Sequence, residues 1–270
     1  HDHPVCAGIV AQRAPPVRLS ASEQARMRAR QQARPSMTGS LYIVSTPIGN
    51  PDDLSLRAIR TLKTVAVIAA EDPRCTQALL ARHGITTPLT SYHNDNKEEK
   101  IPVLVQRMKE GQSVALVSDA GTPAIVDPGT LFIREALRQN IPVVTVPGAS
   151  ALLAALAVSG FPSGAFVFTG PLPQRLSARC TLLRTLRAER RTVVCFESPR
   201  RLPATLQALR TELGNRRIAI ACNLTTPQEQ WLRGTIDEIA RTKTAHAVQG
   251  ELTVIVEGAR RQTRGKQNKN

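Results

Sequence analysis

The stretch that decides the fold is VALVSDAGTPAIVDPG, residues 114–129. It begins with four apolar residues, which are typical of a buried strand, and continues into a loop of small and turn-forming residues. Glycine and proline in that loop let the backbone wrap closely around a flat ligand. Open α/β sheets bind their ligands at the carboxyl ends of their strands, so this stretch indicates both a sheet of that class and a candidate site.

The same unit, a short apolar run followed by about ten helical residues, recurs on both sides of this stretch. Predicted strands of the first half begin at Leu41, Val65, Leu89, Val114 and Val143. Their alternation with helices indicates βαβ units and a mostly parallel sheet. After GFPSG, residues 160–164, the alternation resumes and ends with a strand at 252–256. The sequence therefore predicts an α/β protein with two α/β domains and a cleft between them.

Charge and periodicity divide the chain into four predicted segments. They are a disordered basic extension (1–38), an N-terminal α/β domain (39–159), a C-terminal α/β domain (160–258) and a disordered basic tail (259–270). Residues 1–36 carry six Arg against two acids, without sustained periodicity. We expect a cytoplasmic protein, or an organellar one if this Arg-rich, acid-poor segment is a transit peptide.

Composition excludes several classes of protein. The 270 residues are 41% hydrophobic and 21% charged, enough for a core without disulfide or metal staples. No apolar run approaches the ~18 residues of a membrane span. The five cysteines are scattered without a C-x-x-C pair, which indicates a reducing compartment and no metal site. The net charge is +15, of which +6 remains on residues 37–258 once both tails are set aside. It favours a polyanionic partner such as RNA or DNA, and the alternative is a solvated basic surface with disordered ends.

The common nucleotide and hydrolase motifs are missing from the sequence. It contains no P-loop, no G-x-G-x-x-G after the first strand, no G-x-S-x-G and no H-E-x-x-H. Instead, three further predicted strands end in ligand-type loops: TPIGNPDD (46–53), EDPR (71–74) and PGASA (147–151). Loops of this kind at one edge of a sheet indicate a binding cleft.

The chain resembles the tetrapyrrole methylase superfamily through five motifs: LYIVSTPIGNPDDL, AAEDPR, VSDAGTPAIVDPG, VPGASA and FESPRRL. Within it, SDAGTP and TPIGN resemble the branch that methylates the 2′-oxygen of a cytidine ribose in small-subunit (16S) ribosomal RNA. The resemblance covers roughly residues 39–258. It implies that S-adenosylmethionine (SAM) binds in the cleft between the domains, that small-subunit ribosomal RNA is the partner, and that the chain is a homodimer.

The resemblance also implies cofactor contacts from both domains. The first domain would contribute Pro47, Gly49, Asp119, Ala120, Gly121, Ile125, Ser150 and Ala151. The second would contribute Phe196, Glu197, Asn223 and Leu224. The sequence departs from the family motifs at Pro73 and Cys75, where AEDTRHT is usual, and at Asn223, where RELT is usual and a charge is lost.

Methyl transfer to a ribose hydroxyl, a poor acid, needs a base or a polarising cation. Candidates are Asp72, Glu71 and His93, with Arg74 to orient a phosphate. Each has a structural alternative: an ion pair of the carboxylates with the arginine, or a surface loop position for the histidine. Two other functions stay open, a SAM-dependent methylase of a porphyrin-like small molecule and a non-catalytic RNA-binding module.

Overall fold

Two five-stranded β-sheets form the core of the computed structural model, which describes residues 38–242 and 244–260, without the side chains of Thr244 and His246. The predictions of disorder for the N-terminal extension and for most of the basic tail fall outside these residues. Within them, the predicted α/β fold class is confirmed. No helix of the described residues combines the length and the apolar character that crossing a bilayer requires.

The first sheet is entirely parallel. Its strands are β1 (Leu41–Val44), β2 (Val67–Ala70), β3 (Leu89–Ser91), β4 (Val114–Val117) and β5 (Val143–Val146), in the spatial order β3-β2-β4-β1-β5. Its helices are α1 (Leu56–Thr64), α2 (Pro73–Arg82), α3 (Lys97–Lys109) and α4 (Thr130–Arg138). Helices α1 and α2 pack on one face, and α3 and α4 on the other.

This layering explains the apolar runs in the sequence. The four residues of β4 are all buried, because a parallel strand with helices on both faces has no solvent side. Helices α1 and α2 begin at fixed residues, since the side chains of Ser55 and Asp72 accept hydrogen bonds from the first-turn amides of these helices. Because the five strands are parallel, their carboxyl ends all lie at one edge of the sheet, where the loops of the predicted cleft emerge.

The second sheet is mixed. Its strands are β6 (Phe166–Pro171), β7 (Thr192–Glu197), β8 (Arg217–Cys222), β9 (Gln230–Thr235) and β10 (Leu252–Val256), in the order β6-β7-β10-β8-β9. Only β6 and β7 run parallel; the other pairs are antiparallel. The sequence analysis did not predict β9. This edge strand has no buried residue, and only two of its six residues, Trp231 and Leu232, are apolar, so it lacks the apolar run of the other strands.

The helices of the second half are α5 (Ala151–Val158), α6 (Leu176–Thr185), α7 (Leu202–Leu213), α8 (Ile236–Ala240) and α9 (Thr244–Ala247). Helix α5 follows β5 in the chain, yet its Ala155 and Leu156 pack against Val194 and Ile255 of the second sheet. The chain therefore leaves the first sheet before α5, and the predicted domain bounds, 39–159 and 160–258, stay a prediction.

The burial of β4 yields a stability prediction. Leu116→Ala removes a side chain that is 1% exposed and leaves a cavity, so the free energy of unfolding should fall by about 2–5 kcal/mol. Leu137→Ala, at a position of α4 that is 59% exposed, is the matched control and should change it by less than about 1 kcal/mol. Urea unfolding followed by circular dichroism measures both. Equal losses would contradict the assignment of β4 to the core.

Candidate functional site

A cavity of about 530 Å³ lies where the strand ends of the first sheet meet the second sheet. Its lining comes from the loops after β1, β2, β4 and β5, from the ends of β7 and β8, and from the start of β10. Its volume falls within the ~300–1,000 Å³ typical of small-molecule sites. The two halves of the chain thus share one concave site.

Ten of the twelve predicted cofactor contacts line this cavity. They are Asp119, Ala120, Gly121, Ile125, Ser150, Ala151, Phe196, Glu197, Asn223 and Leu224. Pro47 and Gly49 do not line it, whereas Ile48 between them does. The tertiary structure therefore brings residues from seven separate segments of the chain to one surface.

Gly49, which is not part of the cavity lining, makes a close backbone contact beside it. A Cβ atom at this position would collide with the carbonyl oxygen of Leu224 and lie 2.7 Å from Cγ2 of Thr226. The neighbouring amide of Asn50 donates a hydrogen bond to Oγ1 of Thr225 at 3.0 Å. The loop after β1 and the loop after β8 therefore touch backbone to backbone beside the cavity, and only glycine permits that approach.

The loop after β4 is held by hydrogen bonds from its neighbours. Thr46 and Gly121 form a two-way backbone bridge with N···O distances of 2.9 and 3.1 Å. The hydroxyl groups of Ser45 and Thr122 lie 2.9 Å apart. Oδ1 of Asp119 accepts a hydrogen bond from the amide of Asp72 at 2.9 Å. The loop therefore has a fixed shape before any ligand arrives.

Backbone strain concentrates in the two loops that face each other across the cavity. Ala124 and Val126 have φ values of 69° and 76°, and Asn223 and Thr225 have 51° and 64°. Such conformations cost about 1–3 kcal/mol each for residues other than glycine, most for β-branched side chains, and persist where the surrounding structure enforces them. Strain of this kind marks candidate functional loops.

The cavity is acidic. Five carboxylic acids and no lysine or arginine are among its described lining residues: Glu71, Asp119, Asp127, Glu197 and Glu251. Burial, reinforced by the charges of Asp127 and Asp119, raises the pKa of Glu71. Burial also raises the pKa of Asp127. A surface with these charges favours a cationic ligand.

The carboxylate of Glu197 is already engaged. Its Oε1 lies 2.9 Å from Nε of Arg201, and its Oε2 accepts a hydrogen bond from Oγ1 of Thr205 at 2.6 Å. The Thr205 hydroxyl in turn accepts one from Arg179, whose side chain is buried and also binds the carbonyl of Pro173 at 3.1 Å. Because a buried charge needs such partners, Glu197 supports the cavity wall more than it offers a free oxygen.

Only one of the four predicted catalytic residues lines the cavity, Glu71. Asp72 caps α2, since its Oδ1 accepts a hydrogen bond from the amide of Arg74 at 2.8 Å. The exposed side chain of Arg74 is not among the cavity lining. His93 lies in the loop after β3, with Nε2 at 3.1 Å from the side-chain amide of Asn96. Of the four, Glu71 is therefore the one whose side chain can meet a ligand in the cavity.

The sequence missed two parts of the site. Asp127 lines the cavity, although it belongs to the stretch that the sequence identified. Residues 250–253, at the start of β10, line the second half. The glycine of QGEL, residues 249–252, was an available signal, because Gly250 has φ +78° and a Cβ there would collide with the side chain of Asn223. Within the described residues, no group of three or more His, Cys, Asp or Glu could hold a metal ion.

Comparison with known families gives a match over most of the chain. The family model of Tetrapyrrole (Corrin/Porphyrin) Methylases matches residues 40–240. Proteins named Ribosomal RNA small subunit methyltransferase I are similar in sequence: that of Halalkalibacterium halodurans is 44% identical over 82% of this chain and 76% of its own length. The protein of that name from Thermotoga maritima is 43% identical over 82% of this chain and 99% of its own length.

Solved structures share the fold at lower identity. A cobalt precorrin-4 methyltransferase matches with a TM-score of 0.62 and 18% identity, over 81% of this chain and 94% of that one. A uroporphyrin-III C-methyltransferase from Thermus thermophilus, complexed with S-adenosylhomocysteine, matches with a TM-score of 0.58 and 23% identity, over 81% and 97%.

The contact at residue 49 yields a prediction for ligand binding. Gly49→Ala should force the two loops apart, so we expect at least a tenfold loss of SAM affinity in calorimetry, from about 1.4 kcal/mol or more of lost binding free energy. Gly84→Ala is the matched control: φ is +60° there, but nothing lies within 4 Å of an added Cβ. It should cost about 1 kcal/mol of stability and leave SAM affinity unchanged. Unchanged affinity in a folded Gly49 variant would contradict the role of this contact.

Proposed function

The chain belongs to the Tetrapyrrole (Corrin/Porphyrin) Methylase family. From that membership, and from relatives at 43–44% identity that are named Ribosomal RNA small subunit methyltransferase I, we propose that it transfers a methyl group from SAM to the ribose 2′-oxygen of a cytidine in small-subunit (16S) ribosomal RNA. The observation that carries the proposal is the shared acidic cavity at the strand ends. It combines a suitable volume with charges that suit the cationic methyl donor.

The chemistry of the lining fits SAM. SAM carries a positively charged sulfur and an ammonium group, both attracted by the carboxylates of Glu71, Asp119 and Asp127. It also carries a carboxylate. Ser150 caps α5 and Ala151 begins it at the cavity, where the remaining first-turn amides of the helix attract an anion. The cavity therefore offers carboxylates to the cationic groups of SAM and helical amides to its carboxylate.

The apolar part of the lining suits the adenine ring. Phe196 lines the cavity and is held edge-on against Phe168, with ring centroids 5.1 Å apart. Leu224 and Leu152 add aliphatic surface from the second half. Asn223, at the position of the lost charge, offers a neutral amide to the polar edge of a base.

The residues of this chain have three tasks in the reaction. When bound, SAM supplies a methyl carbon made electrophilic by the positive sulfur. The fixed loop around Gly121 holds that group, and the cavity mouth aligns the 2′-oxygen with it, which removes much of the entropic barrier. Glu71 accepts the hydroxyl proton as the oxygen attacks. Its raised pKa makes it a better base than an exposed glutamate, as long as it is ionised.

The proposed substrate agrees with the sequence relatives and with the charge of the chain. Two relatives at 43–44% identity are named for small-subunit ribosomal RNA. The net charge of +15 favours a polyanion. As part of the same proposal, the chain acts in the cytoplasm on assembled small subunits and as a homodimer, which light scattering after size-exclusion chromatography checks.

Methyl transfer tests the proposed function directly. Tritium from labelled SAM should enter small-subunit RNA and remain, after alkaline hydrolysis, in one alkali-resistant dinucleotide that begins with cytidine. A 2′-O-methyl group blocks cleavage at its own linkage, whereas a methyl group on a base does not. Calorimetry with SAM alone tests cofactor binding independently.

Three other outcomes would each overturn a defined part of the proposal. Label found only in mononucleotides would mean base methylation. Label found only in a porphyrin substrate such as uroporphyrinogen would mean a small-molecule methylase. An absence of SAM binding would mean a non-catalytic RNA-binding module.

The role of Glu71 predicts a kinetic change. Glu71→Gln should lower kcat by about 10²–10⁴-fold, because the amide cannot accept the proton. The wild-type kcat should fall as the pH drops through the raised pKa of Glu71, since the carboxylate becomes protonated there, and the variant should lack this acid limb. Glu98→Gln, in the first turn of α3 and outside the cavity lining, is the control. A variant with the wild-type rate and pH profile would exclude Glu71 as the base.

A further inference from the structure

Within residues 39–258, the excess of basic over acidic residues lies entirely in the second half, residues 160–258. Residues 39–159 contain eleven Lys or Arg and eleven Asp or Glu, so their net charge is zero. Residues 160–258 contain fourteen Lys or Arg and eight acids, for a net charge of +6. Thirteen of those fourteen basic residues are arginine, the side chain best suited to bidentate phosphate contacts. A polyanion is therefore drawn to the second half.

Within the second half, arginines gather at the end of the sheet that faces away from the cavity. We call this surface the basic end and define it by six residues: Arg187, Arg190, Arg191, Arg216, Arg217 and Arg260. They lie in the loop before β7, around the start of β8 and after β10. Strand pairing makes these segments neighbours, because Val256 pairs with both Val193 and Ile218.

Two of these arginines have acidic partners and three do not. Arg191 pairs with Glu189 at 2.7 Å, and Arg260 pairs with Glu257 at 3.4 Å. Within the described residues, no carboxylate forms an ion pair with the exposed Arg187, Arg190 or Arg217. The basic end thus keeps cations whose charge is available to a partner.

The remaining arginine makes the surface rigid. The guanidinium of Arg216 donates hydrogen bonds to the carbonyls of Leu213 at 3.2 Å and of Glu189 and Glu257 at 3.4 Å. The amide of Ala259 donates to the carbonyl of Glu189 at 2.6 Å. Three loops are therefore tied together, so the free arginines are presented on a preformed surface. The sequence beyond Arg260 adds four more basic residues and no acid.

The cavity itself cannot hold the phosphates of an RNA. Its five carboxylic acids repel phosphate, although they attract the methyl donor. The paired segments of the second sheet run from Leu252 at the cavity to Val256 at the basic end, about 14 Å at ~3.4 Å per residue. A folded RNA spans that distance easily. A second, positive surface can therefore supply the affinity that the cavity lacks.

We propose that the basic end is a docking surface for the phosphate backbone of ribosomal RNA, remote from the reacting sugar. The inference rests on the proposed function, since it takes small-subunit RNA as the substrate. Docking at the basic end fixes the RNA by phosphate contacts, which carry no sequence information, and the cavity selects the nucleotide.

The test compares two triple variants of the full chain with equal loss of charge. The first is Arg187→Gln, Arg190→Gln and Arg217→Gln. The matched control is Arg60→Gln, Arg107→Gln and Arg134→Gln, three exposed arginines of the neutral half that lie on three different helices. Circular dichroism and SAM calorimetry should show that both variants fold and bind SAM like the wild type.

Binding to small subunits is then measured from 50 to 200 mM KCl. The slope of the logarithm of the binding constant against the logarithm of the salt concentration is the quantity compared, and we call it the salt slope. The basic-end variant should show a salt slope shallower by up to about 2.7, because each lost phosphate contact removes about 0.9 from it. Its KM for subunits should rise at least about tenfold at 100 mM KCl while kcat at saturation is retained. The control should keep the wild-type slope and KM.

Each contrary result has a separate meaning. Equal changes in both variants would overturn the inference, because net charge alone would then explain the effect. An unchanged basic-end variant, with the wild type still methylating RNA, would overturn the docking surface and leave the proposed function intact. A loss of binding to anionic phospholipid vesicles, with subunit binding unchanged, would assign the surface to a membrane. A wild type that transfers no methyl group to RNA would overturn the proposed function, while the salt slopes would still test the surface.

Discussion

The backbone contact between Gly49 and Leu224 is the constraint on which the cavity depends. It joins the loop after β1 of the first sheet to the loop after β8 of the second, and no side chain fits at residue 49. Thr225 reinforces the contact by accepting a hydrogen bond from Asn50, although its own backbone is held at φ +64°. Since both walls of the site meet at this point, the distance between the sheets sets the width of the cavity.

Charge is distributed in opposite senses over the two ends of the second sheet. Its cavity end carries Glu197 and Glu251, and its other end carries six arginines against Glu189 and Glu257. A cationic donor and a polyanionic substrate are thereby attracted to different places, which prevents phosphate from competing for the donor site. The antiparallel pairing allows this separation: the start of β10 lies beside the ends of β7 and β8 at the cavity, and the end of β10 lies beside their starts at the basic end.

The structure shows how the residues that depart from the family motifs are accommodated. Pro73 is the first residue of α2, a position where a missing amide proton is harmless and the fixed φ of proline suits the helix. Cys75 is exposed, and the charge of Asp72 raises the pKa of its thiol, which keeps it in the unreactive protonated form. Asn223 removes one charge from a lining that still holds five acids.

The sequence by itself determined the α/β class and the location of most of the site. Parallel strands all end at one edge, so apolar runs such as β4 place the loops that follow them, including Asp119 and Gly121, without knowledge of the packing. Only the tertiary structure decided that α5 packs on the second sheet, that residues 250–253 line the cavity, and that Glu71 alone of the catalytic candidates reaches it. These features depend on which strands pair and which apolar faces meet across long sequence separations. Local residue patterns do not determine that pairing.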